Sequence, residues 1–389
     1  MAGKMDVSYR TDCLMAAFRR CLYAGTAALL FLLNSSILPA QSEKDDTSRL
    51  TLLFIGDIMG HDTQIAAAYD EKTGLYDYSG VFRYISPGIR NHDIAIANLE
   101  VTLAGPAYKG YPLFSSPAAI ASAASEAGIG IMMTANNHSV DRGLDGILTT
   151  IYKLDILGIG HTGTYASAES RDTLVPLIIE EKGIRLALLN YTYGTNGIRV
   201  TPPSVVDLID KELMVNDIER SKEAATDGII VFLHWGTEYD TLPNRNQTEL
   251  AEWLLRQGVT MVIGSHPHVI QPVMLEKSGE YQGDRLVVYS LGNFVSNQRN
   301  RRTDGGAMVS VTISKGNDGL IIEEAGYILT WVYTPYEYGR RRFYILPAAE
   351  FEDYPLLPAD KDSRDRLKLF LEDSRRLMNN HSRGIREIR

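Results

Sequence analysis

The segment Gly264-Ser265-His266-Pro267-His268 carries two histidines directly behind the apolar run 259–263. The run predicts a buried strand, and the loop that follows lies at the strand's carboxyl end, where α/β proteins place their ligands. Imidazole is the commonest metal ligand, so two on one tight loop favour a shared metal site. The alternative is a surface turn with two incidental histidines, and the rest of the chain bears on that choice.

Four other apolar runs also predict buried strands that end in polar side chains. Residues 50–55 lead into Asp57, residues 93–97 into Asn98 and Glu100, residues 129–135 into Asn137 and His138, and residues 228–233 into His234. A buried carboxylate at such a strand end is costly unless it is solvated or paired. The competing interpretation is structural, with Asp57 as a helix cap and the histidines in the core.

The polar strand ends together supply two carboxylates, an amide and four histidines. This mixed donor set suits a pair of borderline divalent cations such as Mn, Fe or Zn. Two such ions activate water at neutral pH and hold a phosphoryl group in place. The pattern therefore predicts a binuclear site whose metals the sequence leaves unidentified.

Three residues near these strand ends have an open role. His61 lies four residues after Asp57, so the two share one helix face if a helix begins at Asp57. Asp141 either caps the helix predicted after it or orients His138. His161 has no further partner in the sequence pattern, and we interpret it as a structural or rim residue.

Composition and charge narrow the class of protein. The chain has 389 residues, which is one large domain or two ordinary ones, and its 44% hydrophobic and 22% charged residues are those of a globular protein. The formal net charge of -9 argues against general nucleic-acid binding. An anionic substrate would therefore have to be held by a local cation.

The first forty residues resemble a targeting segment. Arg19 and Arg20 precede the apolar run 22–38, and residues 38–40 form an acceptable cleavage site before Gln41. We predict a signal peptide or N-terminal anchor over 1–40 and a polar linker over 41–49. The protein is then exported to the periplasm or cell envelope, with an uncleaved membrane anchor at 22–38 as the alternative.

The remaining elements alternate between helices and strands. Helices are expected over 118–127, 144–157, 205–225, 248–257 and 360–378, a hairpin over 173–181 and 184–191, short or single strands over 156–160 and 287–294, and a second-sheet meander over 307–314 and 320–332. The last helix has a charged, solvated face. It belongs to a predicted C-terminal extension over 336–389, which follows a main domain over 50–335.

The ordered strand ends resemble the calcineurin-like metallophosphoesterase superfamily and, in detail, the CapA family of poly-γ-glutamate capsule biosynthesis. The resemblance rests on six stretches within residues 50–296. They are Gly56-Asp57-Ile58-Met59, Ala97-Asn98-Leu99-Glu100, Ala135-Asn136-Asn137-His138-Ser139-Val140-Asp141, His234-Trp235-Gly236-Thr237-Glu238-Tyr239, Gly264-Ser265-His266-Pro267-His268 and Tyr289-Ser290-Leu291-Gly292-Asn293-Phe294.

This resemblance implies an α/β fold, a four-layer α-β-β-α sandwich of two facing sheets flanked by helices. It also implies two divalent metal ions with Glu100 as their bridge. Asp57 and His268 would complete one metal site, and Asn137, His234 and His266 the other. His138 would be the catalytic residue that stabilises the transferring oxygen or protonates the leaving group.

Two positions depart from the superfamily pattern. Met59 occupies the place of a metal-binding histidine, and His61 is the candidate replacement. Glu100 stands where the superfamily has an aspartate, one methylene shorter. Both departures are typical of the CapA family, and both bear on the strength of the first metal site.

We therefore expect an exported, CapA-like metal-dependent hydrolase of a phosphoester or related bond. Its setting would be the biosynthesis of capsule, poly-γ-glutamate or another cell-envelope polymer, and its substrate an anionic polymer or a phosphoester. Trp235, Glu238 and Asn293 are the candidate substrate contacts, with packing as the alternative for the first two. The competing function is that of a non-catalytic accessory subunit in a membrane complex for polymer synthesis or export. Cleavage of the γ-glutamyl amide by the same site is a third option.

Overall fold

The computed structural model describes residues 49–277, 283–316, 319–337, 339–352 and 360–389. The predicted signal peptide or anchor at 1–40 and nearly all of the linker lie outside these residues. No helix within the described ranges has both the length and the apolar composition that crossing a membrane requires. The architecture below concerns the described part of the chain.

The described residues form strands and helices in alternation. The strands are β1 Arg49–Ile58, β2 Tyr69–Asp70, β3 Leu75–Tyr76, β4 Ile94–Leu99, β5 Ile131–Met133, β6 Gly160–Thr162, β7 Thr164–Tyr165, β8 Leu177–Glu181, β9 Ile184–Thr192, β10 Val205–Val206, β11 Gly228–His234, β12 Met261–Ser265, β13 Val273–Glu276, β14 Arg285–Val288, β15 Asn293–Val295, β16 Gly305–Gly316, β17 Gly319–Tyr333, β18 Tyr336–Glu337, β19 Arg340–Arg341, β20 Tyr344–Pro347 and β21 Arg386–Glu387. The helices are α1 Asp62–Ala68, α2 Ser86–Arg90, α3 Ala119–Glu126, α4 Gly143–Ile156, α5 Ala168–Leu174, α6 Lys211–Glu223, α7 Arg245–Arg256 and α8 Lys361–His381, with a 3₁₀ turn at Ser79–Phe82.

Two mixed sheets carry the fold. The first has the order β20-β17-β16-β1-β4-β5-β6, with β15 beside β1 and β21 beside β17; the second has the order β13-β14-β12-β11-β9-β8. Strands β1, β4, β5 and β6 are parallel to one another, as are β9, β11, β12 and β14. The carboxyl ends of each parallel set therefore lie along one edge of its sheet.

The sheets pack face to face because their strands are apolar on both sides. On β1, Leu52 and Phe54 point into the core between the sheets, whereas Leu53 and Ile55 point to the opposite face. The Phe54 ring meets that of Phe232 from β11 edge to face, with 5.7 Å between centroids. The unbroken apolar runs in the sequence reflect this double burial.

Helices cover both outer faces. Ile120 of α3 packs on the outer face of the first sheet, and Met214 of α6 and Leu254 of α7 pack on that of the second. The result is the predicted four-layer α-β-β-α sandwich. Helix α8, from the predicted C-terminal extension, contributes Leu367 and Phe370 to the core between the sheets.

Two predictions about strands are wrong. The meander at 307–314 and 320–332 belongs to the first sheet, because β16 runs antiparallel to β1 and pairs Val311 with Leu52. The single strand predicted over 287–294 breaks into β14 in the second sheet and β15 in the first. Gly292, at φ +70, lies at the crossing, where the chain changes sheets.

Three helix or hairpin bounds also differ. The helix expected over 205–225 begins at Lys211, because Asp210 caps it and accepts a hydrogen bond from the Leu213 backbone, while residues 205–206 pair with β7. The strand expected over 156–160 starts only at Gly160, as β6, because Ile156 is still the last residue of helix α4. The hairpin around Lys182-Gly183 is confirmed, but its first strand, β8, begins at Leu177 and not at residue 173.

Candidate metal centre

The polar strand ends of both sheets meet at one edge of the sandwich. The first sheet supplies Asp57 at the end of β1, Glu100 directly after β4 and Asn137 in the loop after β5. The second sheet supplies His234, the last residue of β11, and the histidine loop after β12. Every one of these side chains is buried. Facing sheets with parallel strands thus bring together residues that lie far apart in the sequence.

The first group of ligand atoms comprises Asp57, Glu100 and His268, which lie within 4.8 Å of one another. His268 Nδ1 lies 3.2 Å from Asp57 Oδ2, and His268 Nε2 lies 3.8 Å from Glu100 Oε1. Asn98 Nδ2 donates to Asp57 Oδ1 at 2.8 Å and so fixes the carboxylate orientation. This group matches the first metal site that the resemblance implies.

The second group comprises Glu100, His234 and His266, again within 4.8 Å. His234 Nε2 lies 3.5 Å from Glu100 Oε1 and 2.8 Å from Asn137 Oδ1. The Asn137 amide therefore lies next to this group, where the resemblance expects a ligand. Glu100 belongs to both groups, which is the arrangement of a bridging carboxylate.

Glu100 is the least satisfied group of the centre. Its side chain has no exposed surface, and neither carboxylate oxygen has a hydrogen-bond partner among the described residues. Burial, followed by the negative charge of Asp57, raises the pKa of Glu100 well above its usual value. A buried carboxylate without donors costs several kcal/mol, on the order of a lost charge-assisted hydrogen bond or more. A divalent cation on each side would satisfy both oxygens, so the donor set fits two metals.

Burial favours the neutral form of two of the histidines, His234 and His266, which is the form that binds a metal. Burial lowers the pKa of His266 to about 3, with a smaller effect from the His268 charge. Burial and the neighbouring His266 also lower the pKa of His234 well below its usual value. Both imidazoles are therefore neutral near pH 7, which leaves a ring nitrogen free to bind a cation.

His138 is oriented by a carboxylate. Its Nδ1 lies 2.7 Å from Asp141 Oδ2, and the same oxygen accepts the Phe114 backbone N–H at 2.7 Å. Of the two roles considered for Asp141, the structure shows the orienting one, because Arg142 precedes the first turn of α4. The Phe114 ring packs at right angles to the imidazole, 4.6 Å between centroids. His138 is thus held rigidly beside the candidate ligands.

His61 lies outside both ligand groups. Asp57 belongs to β1 and the helix begins only after His61, so the expected helix face shared by the two residues does not form. The His61 Nδ1 lies 3.0 Å from Gln64 Oε1 and 3.2 Å from the Asn297 backbone N, as part of the cap of α1. Met59 is buried in the outer core of the first sheet. The first group therefore has no histidine from this segment.

The three candidate substrate contacts differ in their exposure. Trp235 is not a substrate contact in this structure, because it is 3% exposed and its indole N–H donates to the Tyr289 carbonyl. Asn293 is also buried: its Oδ1 lies 3.1 Å from His268 Nδ1, and its Nδ2 donates to the Thr303 carbonyl. This amide orients His268 instead of facing the opening. Of the three candidates, Glu238 alone is exposed, and its charge acts on Glu100.

Sequence reasoning assigned no role to three residues of the centre, Tyr193, Tyr239 and Asn98. Tyr193 packs 4.6 Å from the His266 ring and Tyr239 lies 6.2 Å from the His268 ring, yet both are about half exposed, at 49% and 51%. They therefore line the entrance. Nothing in the loop around Tyr193 marks it, whereas Asn98, an amide inside an apolar strand, was a usable signal.

Gly264 is expected to tolerate no side chain, because a Cβ there would lie 2.0 Å from the Tyr289 carbonyl oxygen and 2.5 Å from Trp235 Nε1. We expect Gly264→Ala to lower the free energy of unfolding by about 1–3 kcal/mol or more and to displace the histidine loop. Gly130→Ala is the control, since a Cβ there meets nothing within 4 Å. Urea unfolding measures both, and equal stability of the two variants would contradict the expectation.

The histidine loop is strained. His266 has φ +100 and His268 has φ +59, in the region that non-glycine residues avoid. Each such residue costs on the order of 1–3 kcal/mol and persists only where the surrounding structure holds it. In this conformation both imidazoles have a ring nitrogen within 4.8 Å of a Glu100 oxygen.

The layered sandwich and the cluster at its strand ends agree with the architecture that the resemblance implies. The family model described as bacterial capsule synthesis protein PGA_cap matches residues 51–298, and the chain belongs to this family. It is 29% identical over 277 residues to the capsule biosynthesis protein CapA of Bacillus anthracis, covering 68% of this chain and 64% of that protein. It is 28% identical over 284 residues to the PGA biosynthesis protein CapA of Bacillus subtilis (strain 168), covering 69% of each.

Two of the solved structures that match part of this chain are a nucleotidase and a phosphoesterase. The NAD nucleotidase of Haemophilus influenzae has a TM-score of 0.44 at 13% identity, over 87% of this chain and 63% of that one. The calcineurin-like phosphoesterase YfkN of Bacillus subtilis has a TM-score of 0.42 at 16% identity, over 72% and 90%. The match to this chain spans about two thirds of the length of each of the two CapA proteins.

Proposed function

We propose that this protein is an exported, metal-dependent hydrolase of a phosphoester or related bond in the biosynthesis of capsule or another cell-envelope polymer. The observation that carries the hydrolase part is Glu100, which is fully buried and is shared by two groups of candidate ligands. Its carboxylate has no hydrogen-bond partner within the described part of the chain. The membership of the capsule synthesis family supports the pathway. The apolar segment near the N-terminus supports export.

The chain's own residues suit this chemistry. Two divalent cations, when bound, would supply Lewis acidity to a phosphoryl oxygen and activate water as the nucleophile. Asp57, Glu100 and His268 would hold one ion, and Glu100, Asn137, His234 and His266 the other. Their burial excludes bulk water and strengthens the electrostatic interactions of the site.

His138 is the candidate for moving a proton. The Asp141 carboxylate holds its Nδ1, so its Nε2 is the nitrogen available to the substrate. In that position it can donate a hydrogen bond to a transferring oxygen or a proton to the leaving group. Tyr193 and Tyr239 border the entrance with about half of each side chain exposed, so a substrate can reach the centre.

The test is the metal content of the purified protein together with hydrolysis of a chromogenic phosphodiester. We expect about two cations per chain, and the loss of at least one of them in His266→Ala with a fall in kcat/KM of at least a hundredfold. His161→Ala is the matched control, because that imidazole pairs with the exposed Asp155. A wild-type protein that binds no Mn, Fe or Zn would rule out the hydrolase.

An accessory role in a polymer synthesis or export complex remains the second candidate. The observation that favours it is Met59, whose buried thioether leaves the first ligand group one histidine short of the superfamily pattern. A single tightly bound cation without hydrolysis of any ester would favour this role. Two cations with turnover would exclude it.

A further inference from the structure

Three exposed tyrosines lie around the entrance of the metal centre. Tyr193 is 49% exposed, Tyr239 is 51% exposed and Tyr111 is 69% exposed. A single exposed aromatic side chain needs no explanation, but a group of them at one opening forms a surface that marks a binding site. The contacts of each ring show where it stands relative to the candidate ligands.

Two of the tyrosines pack beside the histidine loop. The Tyr193 ring lies 4.6 Å from the His266 ring, and the Tyr239 ring lies 6.2 Å from the His268 ring, both measured between centroids. Tyr193 follows β9, whereas Tyr239 follows β11 by five residues. Two separate loops of the second sheet thus each place a tyrosine next to a candidate metal ligand.

Tyr111 stands on the side of the first sheet. Its ring lies 6.5 Å from the Phe114 ring, which in turn packs 4.6 Å from the His138 ring. The Tyr111 phenol also acts on the pKa of Tyr239, after burial and the charge of Glu238. The aromatic surface therefore continues from one sheet to the other across the opening.

The backbone fixes both tyrosines of the second sheet relative to the ligands. The Tyr193 N–H donates to the His234 carbonyl at 2.9 Å, and the Tyr239 N–H donates to the Pro267 carbonyl at 2.8 Å. Tyr239 has φ +70, a conformation that persists in a non-glycine residue only where the surrounding structure holds it. The rings are therefore set in position before any substrate arrives.

The charged residue next to these rings is acidic. Glu238 is exposed, and after burial its charge contributes most to the raised pKa values of both Tyr193 and Tyr239. A carboxylate at the entrance repels a second anionic group on the substrate. It accepts hydrogen bonds from hydroxyl groups, however. The entrance thus favours an uncharged, hydroxyl-bearing group beside the phosphoryl group.

We propose that Tyr111, Tyr193 and Tyr239 bind the sugar ring of a sugar phosphoester whose phosphoryl group lies at the metal centre. This inference rests on the proposed hydrolase function and specifies its substrate. A sugar ring has an apolar face of C–H groups that packs on a phenol ring. Its hydroxyl groups can bond to the phenol oxygens and to Glu238. A simple alkyl ester lacks the second property, and a polyanion carries charges that Glu238 repels.

Saturation-transfer difference NMR on the full chain in EDTA tests the sugar contact. The probes are the methyl glycosides of glucose, galactose, mannose and N-acetylglucosamine. We expect at least one of them to bind and to receive saturation from aromatic protons of the protein. Tyr111→Ala and Tyr239→Ala should each raise its Kd about fivefold or more, because each removes apolar surface under the sugar ring. Tyr152→Ala is the matched control, since this tyrosine is 58% exposed on the third turn of α4, and it should change the Kd less than twofold.

Tyr239→Phe separates the ring from the fold. It keeps the aromatic surface, so it should retain most of the affinity that Tyr239→Ala loses, and thermal unfolding of both variants checks that they are folded. A wild-type protein that binds none of the four glycosides would overturn the proposal. So would an unchanged Kd in the double variant Tyr111→Ala, Tyr239→Ala.

Two phosphomonoesters of equal charge test whether the sugar ring is read together with the phosphoryl group. With Mn²⁺ bound, we expect phosphate release from glucose 6-phosphate to have a kcat/KM about tenfold higher than that from glycerol 3-phosphate. The ratio should fall below about threefold in the double variant. Equal rates for the two esters in the wild type would contradict the assignment of a sugar to this entrance.

Because the NMR measurement needs neither metal nor turnover, the two proposals fail separately. A protein that binds a glycoside through these tyrosines but hydrolyses no ester would remove the hydrolase function and keep the sugar contact. A hydrolase that binds no glycoside and does not distinguish the two esters would keep the function and remove the sugar contact.

Discussion

Glu100→Gln is expected to stabilise the metal-free protein while abolishing the binding of both cations. Glutamine keeps the shape of the side chain but removes the carboxylate that is buried without partners beside Asp57. At neutral pH we expect the metal-free variant to gain about 1–3 kcal/mol of unfolding free energy, the cost of an unsatisfied buried ionisable group. With metals present we expect the wild type to be the more stable of the two proteins, because only the wild type gains free energy from metal binding.

The stability difference between Glu100→Gln and the wild type is expected to depend on pH in a definite direction. A glutamate whose pKa is raised in the folded state costs nothing below its unfolded pKa of about 4.3, and the cost grows as the pH rises above that value. The advantage of Glu100→Gln in EDTA should therefore be small at pH 4.5 and larger at pH 7.5. Urea unfolding at the two pH values measures it, with Glu223→Gln, an exposed residue at the end of α6, as control. A metal-free Glu100→Gln that is less stable than the wild type at pH 7.5 would contradict a site built for cations.

Arg171→Leu is expected to lower the free energy of unfolding by about 3–5 kcal/mol, because it leaves buried charges unpaired. Arg171 Nε donates to Asp207 Oδ1 at 2.5 Å and its Nη2 to Asp217 Oδ2 at 2.5 Å, and all three side chains are at least nine-tenths buried. The Tyr191 hydroxyl donates to Asp217 as well. Removing the guanidinium leaves two buried carboxylates in the core without a positive partner.

The same ion-pair network holds the loop that borders the metal centre. The Asp207 carbonyl accepts the Thr192 N–H at 2.9 Å, and the Asp207 N–H donates to Gly163 at 2.9 Å. Tyr193, at the entrance, follows Thr192 directly. We therefore expect Arg171→Leu to loosen the entrance too, which protease sensitivity of residues 193–204 would report.

Chemical denaturation of Arg171→Leu measures the stability loss. Arg256→Leu serves as the control for removing an exposed arginine. Adding Asp207→Asn and Asp217→Asn to Arg171→Leu should restore part of the lost stability, because no unpaired charge then remains buried. If the triple variant is no more stable than Arg171→Leu, the loss comes from packing and not from charge.

Much of the fold was predictable because the parallel strands are buried on both faces. Such strands appear in the sequence as unbroken apolar runs, and the residue at the end of each run lies at a known edge of the sheet. Asp57, Glu100, His234 and the histidine loop could therefore be assigned to one place without knowledge of their distances. The wrong assignments arose where apolar runs do not reveal a partner, as at 287–294, which changes sheets at Gly292.

The sequence by itself determined the kind of residues at the strand ends and their order, and hence the donor set. Only the tertiary structure decided which side chains face one another, because pairing between facing sheets depends on packing of residues that lie far apart in the chain. It turned Met59 and Trp235 into the core, and it set Asn293 behind His268. It also brought Tyr193 to the entrance, since the buried ion pairs of Arg171 hold that loop in place.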